Sequence, residues 1–304
     1  MGIADVIPGV SGGTMAFILG IYARLLDAIK SFNISLLKLL LGGKFKEALA
    51  SVPWRFLLAL GSGIGTAVFT FAHVVSWMLD NQPTLLFAFF FGLILASIHT
   101  VSTTLKWSVP TLLSLLGGTV GAYILVGAVP LSMPHDPLTL FFSGALAIMA
   151  MILPGISGSF VLLILGQYQY VLEAVKTFDF LTVGSVAAGA VVGIISFVRL
   201  LSWLLKHYSR PTIAILIGFM VGSLRKIWPW KQTLQSMLDS HGKSIPLVER
   251  NILPPTLDQT FWIAIGLCVL GFVVVSVLEH LQSKNNPLLR LFIRSRKRSI
   301  TSVD

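Results

Sequence analysis

Two stretches of this chain combine proline, glycine and hydroxyl side chains in one spacing: Pro8-Gly9-Val10-Ser11-Gly12-Gly13-Thr14 and Pro154-Gly155-Ile156-Ser157-Gly158-Ser159. Both lie in apolar sequence, where proline removes a backbone donor and glycine lowers helix propensity by about 1 kcal/mol. A helix is predicted to break at each motif and restart just after it. The restart presents N–H groups, hydroxyls and a positive dipole end, a combination that favours anions such as phosphate or carboxylate. The candidate substrate-binding residues are therefore Gly9, Ser11, Gly12, Gly13 and Thr14 in the first motif, and Gly155, Ser157, Gly158 and Ser159 in the second. A simpler reading is that the glycines only allow helices to cross closely. Recurrence of the pattern in both places favours the anion site. No Gly-Lys-Ser/Thr follows either motif, which excludes a Walker-type phosphate loop.

Arg199 falls inside a predicted apolar span, and Arg225 near the end of another. Buried arginine pairs with anions, so both are candidate phosphate ligands, with snorkelling to the interface as the alternative for Arg225. His73, His99 and Asp5 are candidates for proton coupling. For Asp5 the alternative is a solvated carboxylate at the membrane surface. The histidines have no metal-ligand spacing, and neither a metal nor a cofactor is expected. The single cysteine, Cys268, lies in an apolar run, so an internal disulfide or a cysteine metal cluster is impossible and a packed small side chain is expected.

The elements that must position these residues are set by composition. Of 304 residues 55% are hydrophobic and 11% charged, against about a quarter charged in soluble domains. This is the composition of an all-α polytopic membrane protein. Apolar runs near the length needed to cross a hydrocarbon core predict six spanning helices, near 55–79, 83–103, 108–129, 181–205, 211–228 and 260–281. Irregular backbone at membrane depth must be buried in protein or line a cavity, so 1–30 and 138–175 are predicted to form two re-entrant helical hairpins with the motifs at their tips. Residues 38–50, KLLLGGKFKEALA, read as an amphipathic helix or loop on the membrane surface. No removable signal peptide is expected, because the start lacks the basic, apolar and small-residue regions in order. The formal charge of +10 sits in loops and the tail, which marks topology rather than nucleic-acid binding. Arg290 to Arg298, the densest basic run, is expected against anionic headgroups.

Comparison of the chain with itself organises these elements. Pro8 to Lys30 matches Pro154 to Lys176 at a constant offset of 146, with eleven of 23 positions identical. Phe71 to Leu79 matches Phe197 to Leu205, and Gly92 to His99 matches Gly218 to Arg225, both at an offset of 126. Thus His73 pairs with Arg199, His99 with Arg225 and Asp5 with Met151. The chain divides into a first repeat, 1–130, a second, 131–282, and a basic tail, 283–304, all within one membrane domain. With the tail cytoplasmic, the inner segments carry 14 Lys and Arg and the outer ones six. This satisfies the positive-inside rule and sends equivalent loops to opposite sides. The expected architecture is a pair of inverted-topology repeats, which commonly place a substrate site at their interface near the midplane.

Gly2 to Leu26, GIADVIPGVSGGTMAFILGIYARLL, together with Met151 to Leu172, MILPGISGSFVLLILGQYQYVL, resembles a bacterial membrane family over essentially the whole chain. This is the undecaprenyl phosphate translocase family of the PopT type, formerly catalogued as a domain of unknown function. The resemblance implies flipping of undecaprenyl phosphate across the bacterial cytoplasmic (inner) membrane, recycling the carrier lipid for peptidoglycan and other envelope polymers. It implies a multi-pass transporter with undecaprenyl phosphate and the lipid membrane as partners; the charge distribution sets the C-terminus in the cytoplasm, and a proton or sodium ion is a candidate coupling ion. One departure stands out: about sixteen residues, Leu138 to Leu153, precede the second break, and only Met1 to Ile7 precede the first. Either the first hairpin has a short arm or a preceding segment is missing. The main alternative is a small organic or inorganic anion transporter on the same architecture. A lipid phosphatase or phosphotransferase would need a positioned base, nucleophile or acidic metal cluster, and the spans carry almost no carboxylates.

Overall fold

The computed structural model describes residues 1–2, 12–128, 133–238 and 244–283. In the first repeat the helices are α1 (Gly12–Ile18), α2 (Tyr22–Lys30), α3 (Ile34–Leu41), α4 (Phe45–Ser51), α5 (Trp54–Asn81), α6 (Pro83–Thr104) and α7 (Val109–Val126). The second repeat contributes α8 (Pro137–Ile152), α9 (Gly158–Ile164), α10 (Tyr168–Lys176), α11 (Phe180–His207), α12 (Ser209–Ser223) and α13 (Gln259–Ser283), with strands β1 (Lys231–Leu238) and β2 (Ser244–Asn251) between the last two helices. Five helices, α5, α6, α7, α11 and α13, contain stretches long and apolar enough to cross a membrane. The sixth expected span, α12, has 15 residues. At 1.5 Å per residue it is about 22 Å long, short of the roughly 30 Å core. It ends early because the chain turns at Leu224 to Ile227 towards the strands.

Sequence duplication is matched by duplicated elements. At the offset of 146, α1 and α2 begin and end where α9 and α10 do; at 126, α5 coincides with α11, each 28 residues long. The turns joining the short helices also correspond. Gly20 and Gly166 have φ of 63° and 69°, a left-handed conformation that closes a helix and that glycine adopts without a Cβ penalty. In the second repeat this turn sets α9 and α10 at 111° to each other.

Packing crosses between the repeats: α6 lies against α13, and α12 against α7. The contacts are equivalent glycine by glycine. Gly92 meets the Cys268 carbonyl on α13 and Gly218 the Leu115 carbonyl on α7; Gly271 meets the Phe89 carbonyl and Gly118 the Ile215 carbonyl. A Cβ at any of the four would collide with that backbone. Close backbone approach through small residues is how helices associate where lipid removes the hydrophobic driving force. α8 packs on α11 in the same manner, through Gly144, Gly189 and Gly193. Below the crossing, Ala16, Tyr22, Leu26, Ile152, Val198, Leu201 and Leu216 form one apolar cluster that joins α1 and α2 to α8, α11 and α12.

Two features depart from or refine the sequence reading. Residues 38–50 form parts of two short helices, α3 and α4, whose Leu41, Phe45 and Leu49 are exposed. The all-α expectation is corrected by the antiparallel pair β1–β2, which runs from Lys231↔Asn251 to Leu238↔Ser244 with a bulge at Gln235. Its base is tied to α12: Trp228 Nε1 donates to the Ile252 carbonyl (2.9 Å), Ile252 N–H to Trp230 (3.0 Å), and Asn251 Nδ2 to the Arg225 carbonyl (2.8 Å). The basic tail, 284–304, lies outside the described residues.

A methyl group added at Gly92 or Gly218 should separate a crossed pair, whereas Gly61, with nothing within 4 Å of a Cβ, should accept one. Gly92→Ala and Gly218→Ala are expected to cost about 1 to 3 kcal/mol, as overpacking does, and Gly61→Ala nothing. Thermal unfolding of the purified variants in detergent checks this.

Candidate functional site

α8 ends at Ile152 because Leu153 is extended, Pro154 has no N–H, and Gly155 turns the chain at φ 92°. That break leaves the last carbonyls of α8 and the N–H of Gly155 without helical partners. In a dry interior each would be costly unpaired. The first repeat supplies the partners. Thr14, fully buried on α1, accepts the Gly155 N–H at its Oγ1 (2.8 Å), and the Tyr22 hydroxyl on α2 donates to the Ile152 carbonyl (3.0 Å).

Close packing holds this junction. A Cβ on Gly13 would lie 2.6 Å from the Ile152 carbonyl oxygen and 2.9 Å from that of Met151, and one on Gly155 would lie 2.6 Å from Ser223 Oγ on α12. Gly12 and Gly13 are buried with Thr14 at the start of α1. Gly158, also buried, lets α9 fold back on α8 against the Ala147 carbonyl, 2.6 Å from the Cβ position. The described end of the first motif, Gly12 to Thr14, and the second break thus come together as one buried knot, with Gly155 wedged between α1 and α12.

On its accessible side stand two hydroxyls. Ser157 Oγ and Ser159 Oγ are 2.8 Å apart, Ser157 half-buried and Ser159 exposed, at the extended lead-in and first turn of α9. The Ser157 side chain makes no capping bond to the helix. A hydroxyl pair that bonds only within itself can turn outward to donate to an oxyanion. α1 and α9 have only seven residues each, so hydroxyls and N–H donors matter here more than helix dipoles.

The other candidates are dispersed. Arg199 and His73, repeat partners, are both exposed on α11 and α5; Val198 and Leu201, beside Arg199, are the residues that pack inward on the cluster around Tyr22. His99 is half-buried, its Nε2 inaccessible and without a hydrogen bond, 6.4 Å from the Phe272 ring. Arg225 does not approach the serines through any contact. It stacks over Tyr123 (4.3 Å), and its Nη1 donates to the Tyr123 carbonyl (3.0 Å). Asp5, Gly9 and Ser11 lie outside the described residues.

Sequence reasoning gave Tyr22 no role and passed over Gln167. The latter is fully buried at the α9–α10 corner, its Nε2 donating to the Pro134 carbonyl (2.9 Å) and its Oε1 2.8 Å from His135 Nδ1. His135 in turn stacks on Tyr170 at 4.2 Å. An amide in an apolar run was the available signal.

Thr14→Val would keep the shape of the junction while stranding the buried Gly155 N–H. The expected loss is about 1 to 3 kcal/mol, against a smaller loss for Thr14→Ser, read as the difference in thermal stability between the two variants. Equal stability of both would contradict the role of this bond.

The family model described as "VCA0040-like: Undecaprenyl phosphate translocase-like" matches residues 1–245. A protein of Vibrio cholerae serotype O1 named "Polyprenyl-phosphate transporter" is 45% identical over 255 residues, covering 84% of this chain and 83% of that one. A protein of the same name from Staphylococcus aureus is 29% identical over 305 residues, 94% of this chain and 95% of its own. No solved structure matches.

Proposed function

The chain belongs to the undecaprenyl phosphate translocase-like family, and from that premise we propose that it carries undecaprenyl phosphate between the leaflets of the bacterial cytoplasmic membrane, returning the carrier lipid for envelope synthesis. The observation that carries the reading is the bond joining the second Pro-Gly break to Thr14 at the start of α1, with the Ser157–Ser159 hydroxyl pair on its accessible side.

In this proposal the phosphate monoester is held by the hydroxyls of Ser157 and Ser159, while the polyprenyl tail remains in lipid. A neutral set of donors suits a charged group that must also leave, because hydroxyls and N–H groups bind an oxyanion without neutralising it. The repeats have opposite orientation and rock about the knot, exposing the headgroup to each side in turn. The breaks are tips of re-entrant hairpins, supported by the fold-back of α9 on α8 and the 111° bend beyond it. Of the groups considered for proton coupling, His99 is carried forward, because its Nε2 is buried in a spanning helix without a hydrogen-bond partner. The C-terminus is cytoplasmic.

Labelled undecaprenyl phosphate in proteoliposomes tests the function. The intact protein should move the lipid between leaflets, and Ser157→Ala with Ser159→Ala should slow it tenfold or more, since hydrogen bonds to charged groups contribute about 1.5 to 3 kcal/mol each. No movement by the intact protein, with a proton or sodium gradient imposed, would contradict the lipid assignment and leave a small-anion transporter. For orientation, cysteines placed at Asn81 and at Ser209 in a Cys268→Ser background should react with an impermeant thiol reagent from opposite sides. Labelling from one side would remove the inversion.

A further inference from the structure

α7, the first turn of α9, the turn after α12 and the β-hairpin line a partly open cavity of about 360 Å³. Its charged lining is Arg225, Lys226, Lys231, Arg250 and a single carboxylate, Glu249. Lys226 Nζ pairs with Glu249 Oε2 at 2.8 Å and Lys231 Nζ lies 3.5 Å from the same oxygen, so one carboxylate is shared by two ammonium groups. Arg225 and Arg250 have no carboxylate partner among the described residues. The Lys231 side chain is 8% exposed, its Nζ makes no hydrogen bond, and it rests 4.0 Å above the Phe87 ring. Burial pushes its ammonium down to about 8 although Glu249 pulls it up. Burial likewise pushes Glu249 up, but Lys231 and Lys226 outweigh it and hold the carboxyl below the usual range. Arg225 is held at Tyr123 and Arg250 is exposed, so neither guanidinium is neutralised by a carboxylate and both can meet an anion at the cavity.

The apolar wall is part of the same cavity. Val126, Phe160 and Leu234 line it, and Lys226 lies over the Phe160 ring (4.9 Å). Phe160 follows Ser159 directly, so this space adjoins the first turn of the helix that carries the hydroxyl pair.

The site has no counterpart at the place the duplication makes equivalent. At the offset of 126, Arg225 and Lys226 correspond to His99 and Thr100. At 153, the offset of the Gly118–Gly271 crossing, Val126 and Gly127 correspond to Glu279 and His280. There Thr100 Oγ1 donates to a Glu279 oxygen (2.7 Å), so the equivalent place holds a carboxylate. It also lacks the hairpin, because only residues 105–108 join α6 to α7.

We propose that this cavity is a binding site for a phosphate oxyanion, a one-sided receiving station beside the second motif. That the oxyanion is the headgroup of a polyprenyl phosphate rests on the function proposed above. Free phosphate offers the same chemistry without the apolar neck that the Phe160 side would cover.

The test is equilibrium binding to the full chain in nanodiscs, with radiolabelled orthophosphate and radiolabelled undecaprenyl phosphate as separate probes. Arg250 is exposed, so Arg250→Glu should fold. It is expected to weaken binding of the lipid probe about tenfold or more, as loss of a charge-assisted contact would, with Arg250→Lys largely restoring it. Arg225→Gln should act in the same direction. Orthophosphate bound as tightly as the lipid, with the same dependence on Arg250, would keep the site and make free phosphate its ligand. Orthophosphate bound in this way without lipid binding or movement would keep the cavity and overturn the proposed function. Lipid binding that is lost in the Ser157→Ala, Ser159→Ala pair but unchanged in Arg250→Glu and Arg225→Gln would keep the function and overturn the cavity. Binding of neither probe by the intact protein would also overturn it.

Discussion

A helix broken inside a membrane leaves backbone groups that neither lipid nor the helix can satisfy, and the arrangement of this molecule follows from how those groups are met. The Gly155 N–H and the Ile152 carbonyl belong to the second repeat, and both find partners, Thr14 and Tyr22, in the first. The second break is therefore not a local feature. The junction fixes α1 and α2 against α8, and the shared apolar cluster extends that fixture to α11 and α12. The bond fixes Gly155, two residues before Ser157, to the first repeat.

Crossed helix pairs perform the same service at larger scale. Because α6 is held by α13 and α12 by α7, each repeat contributes half of both glycine-lined contacts. Such packing resists separation of the repeats into independent units. It also leaves the exterior of α5 and α7 apolar and open, with Phe69 and Leu113 exposed, as suits helices that meet acyl chains rather than protein. A long isoprenoid tail requires nothing more of the surface, so polar chemistry is confined to the headgroup.

The helices were legible because apolar runs of this length have one structural outcome in lipid: the expected 55–79 and 181–205 appear as α5 and α11 with a few residues added at each end. The Pro-Gly-x-Ser-Gly pattern marked the breaks for equally local reasons. Tertiary facts were not legible. The bond from Gly155 to Thr14 joins residues 141 apart, and no pattern in either motif names its partner. Exposure was hidden as well: Arg199 and Val198 are neighbours in sequence, yet one is exposed and the other fully buried. The β-hairpin was missed because its strands mix polar and apolar residues without clean alternation. Its length was the overlooked signal, since 31 residues between the expected spans, 229–259, exceed what unstructured connections in compact domains usually reach, about 12 to 15.

Charge placement gives the molecule a direction. Neutral donors stand at the knot, cations gather beside the second motif, and a carboxylate with two histidines occupies the equivalent end of the other repeat. Under the proposed function, a headgroup would meet cations beside the second motif, neutral hydroxyls at the knot and a carboxylate at the equivalent place. The most direct test of this account is a density map of the full chain in nanodiscs with undecaprenyl phosphate bound. The account predicts the Gly155–Thr14 junction intact and headgroup density within hydrogen-bonding distance of Ser157 and Ser159. A headgroup located on another surface, or Pro-Gly breaks lying apart, would contradict it.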